Sequence, residues 1–334
     1  MPKLSMTFSC GLYDRMAALH SGEVQVDGID LNFIPVHHPR DLFDRMVGGL
    51  EFDASEMSAS EYITRHVAQK SQFVALPVFP SRVFRHGFIA VDSRVIRKPK
   101  DLEGKTIGVQ LYTMTAAIWI RGLLQRDQGV DLSGIQWIEG AIESPKPHGK
   151  PTVLPPLKPV SIEANTSGKS LSQLLEDGEV QAVIGADLPS CFGKCAHVQR
   201  LFPDFKTEEK AYYRRTGIFP IMHLVVLRRE FYEKHPFVAT SLFNAFNESK
   251  ALAYQRMRYL GALRYMLPWL PSELEEIEQV FGGDPWPYGV EPNRKALEAL
   301  VGFLVDQSMI EKAVPIDDLF VPVRGHNWKR DTNH

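Results

Sequence analysis

From residue 3 to residue 187 short apolar runs alternate with amphipathic ones, and this alternation narrows the fold more than any other feature of the chain. "KLSMTFSC" reads as a strand, and "YDRMAALHSG" as a helix closed by Gly22. "IDLNFIPV" is the next strand, and the helix "PRDLFDRMVGG" after it is stopped by Gly48 and Gly49. "EFDASEMS" is a short strand that runs into a polar turn, where Ser58 is placed to cap the helix "ASEYITRHVAQK". A βαβαβα rhythm of this kind puts helices on the faces of a mostly parallel sheet. A second unit repeats it. "KTIGVQ" is a strand and "LYTMTAAIWIRGLLQRDQG" a helix; "IQWIEG" and "VSIEAN" are strands separated by the proline-rich loop "ESPKPHGKPTVLPPLKP". "SLSQLLEDGEV" is a helix, and "QAVIGAD" a buried strand ending in Asp187. Beyond residue 236 the pattern is mainly helical.

Two segments break the alternation. "SRVFRHGFIAVDS" and "RRTGIFPIMHLVVLRRE" read as long extended runs that bracket the second unit. The simplest topology makes them two strands crossing between two lobes. Residues 1–85 and 225–334 then form one lobe containing both termini, residues 86–224 form the other, and a ligand cleft lies between them. A length of 334 residues fits this division, because one core rarely grows so large.

With 38 basic and 40 acidic residues the formal charge is −2, and no basic run resembles a nucleic-acid arm. No stretch of about 18 apolar residues is present to cross a membrane, and "MPKLSMTFSCGLYDR" lacks the apolar core of a signal peptide. Three cysteines, Cys10, Cys191 and Cys195, without a CxxC spacing, point to reduced thiols and a cytoplasmic location.

Six stretches, "FDASEMSASEY", "FRHGFIAV", "TAAIWIRGLLQ", "LFPDF", "YYRRTGIFPIMHLVVLR" and "WPYGVEPNR", together resemble the 4,5-dihydroxyphthalate decarboxylase family. The likeness runs in order from about residue 4 to about residue 320, with Tyr212 to His223 its most specific motif. The proline-rich loop and the tail "GHNWKRDTNH" do not match. The resemblance implies an α/β type 2 periplasmic-binding-protein-like fold, with mixed sheets flanked by helices. It also implies a soluble carboxy-lyase that converts 4,5-dihydroxyphthalate, or a close hydroxylated aromatic diacid, to 3,4-dihydroxybenzoate and CO2.

That chemistry makes definite demands. Direct loss of CO2 would leave an aryl carbanion. Deprotonating a hydroxyl para or ortho to the carboxylate instead pushes electron density into the ring, so the ipso carbon can take a proton before CO2 departs. A base, an acid and carboxylate anchors are needed, and no redox cofactor. His86 and His223 each begin an apolar run, and within the resemblance they are the proton-transfer pair; a hydrogen-bonded core histidine is the alternative for either. Glu56 would orient a histidine or hold a catechol hydroxyl, or be an exposed acid at a helix start. Arg85, Arg214 and Arg215 are candidate carboxylate anchors at strand ends. If the chain is extended there, Arg214 and Arg215 face opposite ways and only one meets the substrate. Gln110, Tyr112, Thr113 and Thr115 sit at a strand-to-helix turn whose free amides suit a carboxylate. Ser55, Ser58 and Asp187 complete the candidate set. No cofactor is expected; the lesser alternative is a divalent metal on His86, His223 and Glu56. The expected partner is a small aromatic carboxylate, with no nucleic acid and no membrane. The alternative function is a non-catalytic solute-binding protein for an aromatic or small carboxylate.

Overall fold

The computed structural model describes residues 2–149 and 153–325. Part of the proline-rich loop and nearly all of the unmatched tail therefore lie outside the described residues. The first stretch holds β1 (Leu4–Cys10), α1 (Asp14–His20), β2 (Ile29–Pro35), α2 (Pro39–Gly49), β3 (Ala54–Ser58), α3 (Ala59–Val67) and β4 (Phe73–Leu76). Next come β5 (Ile89–Asp92), β6 (Thr106–Val109), α4 (Thr115–Arg126), β7 (Gln136–Glu139), β8 (Ile162–Ala164), α5 (Leu171–Glu176), β9 (Ala182–Ile184) and β10 (Val198–Arg200). The remainder is α6 (Phe205–Thr216), β11 (His223–Arg228), α7 (Arg229–Lys234), α8 (Phe237–Arg258), α9 (Leu270–Phe281) and α10 (Arg294–Asp306).

Two mixed sheets result. One runs β2-β1-β3-β11-β4, the other β10-β5-β9-β6-β7-β8. In the first, β1, β2 and β3 are parallel, and β11 lies antiparallel between β3 and β4. In the second, β6, β7, β8 and β9 are parallel, while β5 is antiparallel to β9 and β10. Strand β11 thus carries the chain back to the first sheet after the second is complete.

Helix α4 is buried along its first ten residues, as its nearly continuous apolar sequence requires. Ala116, Ile118 and Trp119 join the core of the first sheet, whereas Ala117, Ile120 and Leu124 join that of the second. The indole of Trp119 donates to the Ile221 carbonyl at 2.9 Å, which fixes α4 to the segment entering β11.

The two crossing segments are not the continuous strands expected. The first pairs with the second as strand only at an isolated antiparallel bridge, Arg82 to Ile221, and then makes a 3₁₀ turn over His86–Phe88 before β5 begins. The second is helical as far as Thr216. Gly217, at φ +68°, ends α6 by donating its N–H to the Tyr213 carbonyl, and strand pairing starts again only near Ile221. Arg214 and Arg215 therefore lie in the last turn of a helix and not on an extended strand, a place where the helix dipole favours cations. Among the described residues no helix is long and apolar enough to cross a membrane.

Candidate active site

Strand β3 is buried at every residue and lies between β1 and β11. A carboxylate at such a place must be paired, since an unpaired buried charge costs several kcal/mol. Glu56, fully buried, is paired on both oxygens. Oε1 accepts from His223 Nδ1 at 2.6 Å and from the Tyr13 hydroxyl at 2.8 Å; Oε2 accepts from the Gly11 amide at 3.0 Å and from Cys10 Sγ at 3.3 Å. Burial pushes the carboxyl upward, but the adjacent His223 and the donated hydrogen bonds outweigh it and hold the group at about 2. Burial, followed by the Glu56 charge, pushes the Cys10 thiol and the Tyr13 phenol well up, so both stay protonated as donors.

The contact to His223 follows from strand register. Glu56 faces Val225 across the antiparallel pair, and His223 is two residues before Val225 on the same face. The two are diagonal neighbours, within reach of long side chains. Because an ionised carboxylate only accepts, Nδ1 carries the proton in this bond and Nε2 is left for a ligand. The ring is set edge-on against Phe43, with centroids 5.0 Å apart, and its side chain keeps 17% exposure. This is an imidazole fixed in tautomer and orientation by a buried carboxylate, an arrangement suited to proton transfer.

At the end of β3 a group of hydroxyls joins the two sheets. Ser58 Oγ lies 2.9 Å from Thr115 Oγ1, and Ser60 Oγ 3.0 Å from it. The Ser60 amide donates to Thr115 Oγ1 at 3.0 Å, and Ser60 Oγ donates to the Thr113 carbonyl at 2.8 Å. The N-termini of α3 and α4 therefore meet, bringing two positive dipole ends together. Ser58 occupies the N-cap position of α3 without capping it; its hydroxyl is used in this cluster instead. Thr113 Oγ1 is buried with no hydrogen-bond partner. Ser55 Oγ is also unpartnered, but Ser55 alternates with Glu56 along the strand and so faces the other side of the sheet.

The other predicted residues separate. Arg85 is buried, donates to the Ala186 carbonyl at 3.1 Å and to Met222 Sδ at 3.2 Å, and among the described residues has no ion-pair partner. Burial lowers its guanidinium to about 10 against the opposing pull of Asp187 and Glu209. Asp187 itself is exposed, beyond the end of β9. Arg214 and Arg215 are exposed on α6, and Arg215 pairs with Asp127 at 3.3 Å. Gln110 accepts from the Ala186 amide at 2.8 Å and ties the ends of β6 and β9 together. The Tyr112 amide is not free, since it donates to Glu139, and its ring lies under the Arg121 guanidinium. His86 does not join His223. It packs between Tyr212 and Phe202, with Nδ1 unpartnered and 3.9 Å from Glu209, and burial lowers it to about 4. Glu209, half-buried, is raised to about 7 by the loss of solvent around it. His86, His223 and Glu56 thus do not form a ligand set, and among the described residues no group of three or more His, Cys, Asp or Glu is arranged to hold a metal ion.

Gly11, Tyr13, Ser60 and Phe43 belong to this site and were not foreseen. "CGLY" stands where β1 turns into α1, at the carboxyl end of a parallel strand, where ligands gather in open α/β sheets. That was the available signal.

No family model matches the chain. Over 331 residues, 98% of this chain and all of the relative, it is 35% identical to the 4,5-dihydroxyphthalate decarboxylase of Comamonas testosteroni. It is 38% identical over 193 residues to the 4,5-dihydroxyphthalate decarboxylase of Pseudomonas putida, covering 58% of this chain and 74% of that one. Among solved structures, the periplasmic aliphatic sulphonate binding protein of Escherichia coli superposes with a TM-score of 0.52 at 13% identity, covering 98% of this chain and 94% of that one, a likeness of fold alone. With one relative matched from end to end at this identity, the chain belongs to the 4,5-dihydroxyphthalate decarboxylase family.

Proposed function

We propose that this protein is a carboxy-lyase that converts 4,5-dihydroxyphthalate to 3,4-dihydroxybenzoate and CO2 without oxidation, with His223 as the acid–base residue. The buried Glu56 carboxylate locked to His223 Nδ1 carries this reading, because it leaves Nε2 as an oriented proton carrier. Capturing a dianion calls for cations and amides, not for a charged dyad inside a sheet.

The chemistry requires the hydroxyl para to the departing carboxylate to ionise, giving its proton to solvent. His223 enters the step protonated on both nitrogens, Nδ1–H on Glu56 and Nε2–H free to be given up. The phenolate electrons then enter the ring, and His223 Nε2–H delivers a proton to the ipso carbon. The carbon–carbon bond breaks, its electron pair restores aromaticity, and CO2 leaves. Glu56 remains ionised and stabilises the imidazolium during the step. The buried Arg85 guanidinium and the meeting ends of α3 and α4 are the anchors for the two carboxylates; the unpartnered Thr113 hydroxyl supports this. Arg214 and Arg215 have no part in it.

The site lies in a cleft between a lobe of residues 1–85 plus 225–334 and a lobe of residues 86–224. This division is supported by the two sheets, whose strands fall on either side of it apart from the first residues of β11. The cytoplasm is the proposed location, supported by three free cysteines.

Purified protein incubated with 4,5-dihydroxyphthalate in D2O tests the proposal. Release of CO2 and deuterium at the ipso carbon of the product are expected. Tight binding without CO2 release would instead identify a solute-binding protein.

A further inference from the structure

A cavity of about 330 Å³ lies between the two crossing segments and helices α8 and α9. Phe84 and Phe219, stacked with centroids 4.6 Å apart next to the Arg82–Ile221 bridge, form one wall. Trp286 meets Phe219 at a right angle, 5.3 Å between centroids, and Phe281 of α9 meets it at 5.6 Å. Met257 of α8 and Leu274 of α9 continue this apolar, largely aromatic lining. Neither Glu56 nor His223 lines the cavity, so it is separate from the dyad. An apolar cavity of about 150 Å³ already takes a benzene ring. One of 330 Å³ has room for two fused rings, and walls that offer ring faces and edges suit a flat aromatic guest.

Three cations line the same space. Lys250 is held by Asp284 at 2.6 Å and Arg258 by Glu278 at 3.2 Å. Arg15 differs in keeping a donor. Its Nε donates to the Pro80 carbonyl at 2.6 Å and its Nη1 to Asp14 at 3.0 Å, and among the described residues Nη2 makes no hydrogen bond. The guanidinium is sandwiched between the rings of Tyr13 and Trp286, 4.3 and 4.4 Å from their centroids, and Tyr13 is itself held by Glu56. The fork is thus fixed before a ligand arrives. A guanidinium with a donor to spare selects a carboxylate, and would meet a cationic guest as a like charge.

We propose that this cavity is a second binding site, which takes a flat two-ring aromatic molecule carrying one carboxylate. The rings lie against Phe219, Phe281 and Trp286, and the carboxylate accepts from Arg15 Nη2. A large apolar surface with one polar group placed to orient the guest is the usual build of a small-molecule site.

Calorimetric titration of the full chain with 2-naphthoate, and with its uncharged amide 2-naphthamide, tests this. One 2-naphthoate per chain is expected to bind saturably, about 10–100-fold more tightly than the amide, as a charge-assisted pair requires. Arg15→Met keeps an unbranched stem, and should bring the two ligands to within about threefold of each other by weakening the acid alone. Leu274→Trp, at a half-buried position on the cavity wall, fills the space. It should abolish binding of both ligands and leave phthalate binding unchanged. A wild type without saturable 2-naphthoate binding overturns the proposal, as does binding that Leu274→Trp leaves unaltered. A folded Leu274→Trp variant that loses phthalate together with 2-naphthoate also overturns it, because the two ligands then share the site of the dyad.

Discussion

Replacing Glu56 with Gln tests the dyad most directly, because it removes one charge while keeping the size of the side chain. Glu56 now accepts four hydrogen bonds; an amide can accept at only one of its two ends and would face donors at the other. The folded protein holds this carboxyl at about 2, against an ordinary 4.5 in the unfolded chain. That gap corresponds to about 3 kcal/mol of stability. For a depressed carboxyl, this contribution is complete above 4.5 and disappears as pH falls from 4.5 toward 2. Wild type and Glu56→Gln should therefore differ by a constant ~3 kcal/mol in denaturant unfolding between pH 7 and pH 5, and converge below 4.5. Turnover at pH 7 should fall by about 10²–10⁴-fold, since the imidazolium loses its stabilising charge and His223 its fixed tautomer. Binding of a non-reactive phthalate should change little. Equal stability at pH 7, or a difference that ignores pH down to 3, would refute the assignment of the buried charge. Normal turnover in a folded variant would refute its role in catalysis.

Three further outcomes are expected. His223→Asn should lower kcat by about 10²–10⁴-fold with phthalate binding retained, measured by product formation and calorimetry. His86→Gln should leave kcat within about threefold of the wild type, because His86 is packed under α6 away from the dyad. Burial lowers His86 from 6.5 to about 4, so its neutral form favours folding and wild-type stability is lost as pH drops through that window; the variant should gain up to about 3 kcal/mol relative to wild type at the acid end, read by urea unfolding. Arg85→Leu should raise KM for the diacid about 10–100-fold and affect monoacid binding less, while Arg214→Leu and Arg215→Leu leave both within about twofold; equal effects for all three would return the anchor role to α6.

Much of the frame was legible because each strand–helix step is local. Periodicity and turn residues fix β1 to α3 and β6 to α5 within a few residues, whereas Glu56, in the polar strand Ala-Ser-Glu-Met-Ser, could as well be read as an exposed acid at a helix start. Helix α6 was not read, because the motif from Tyr212 to His223 straddles a helix end, a glycine turn and a strand start, and its apolar half hides the helix before it. Asp204, which caps the Thr207 amide, and Gly217 in the left-handed region were the start and stop signals available. The donors to Glu56 are a different kind of omission. Gly11 and Tyr13 reach it from 45 and 43 residues away, through the pairing of β1 with β3, and no local pattern encodes that distance.

The same pairing explains why chemistry sits at this point of the fold. β3 lies between a parallel neighbour, β1, and the returning antiparallel strand, β11. The parallel partner brings a βα turn, with its amide and phenol, to one carboxylate oxygen after another, while the antiparallel partner brings an imidazole diagonally across to the same group. A sheet of parallel strands alone would supply the amides that bind an anion, but not a side chain projecting back from the end of a returning strand. Moving the histidine to position 224 would turn it to the opposite face, because side chains alternate along a strand. The proton transfer proposed for His223 therefore rests on the register of β11 against β3, where His223 faces Ser58 and Val225 faces Glu56. A one-residue slip would leave the proposed carboxylate anchors, hydroxyls and guanidinium, in place but no oriented acid.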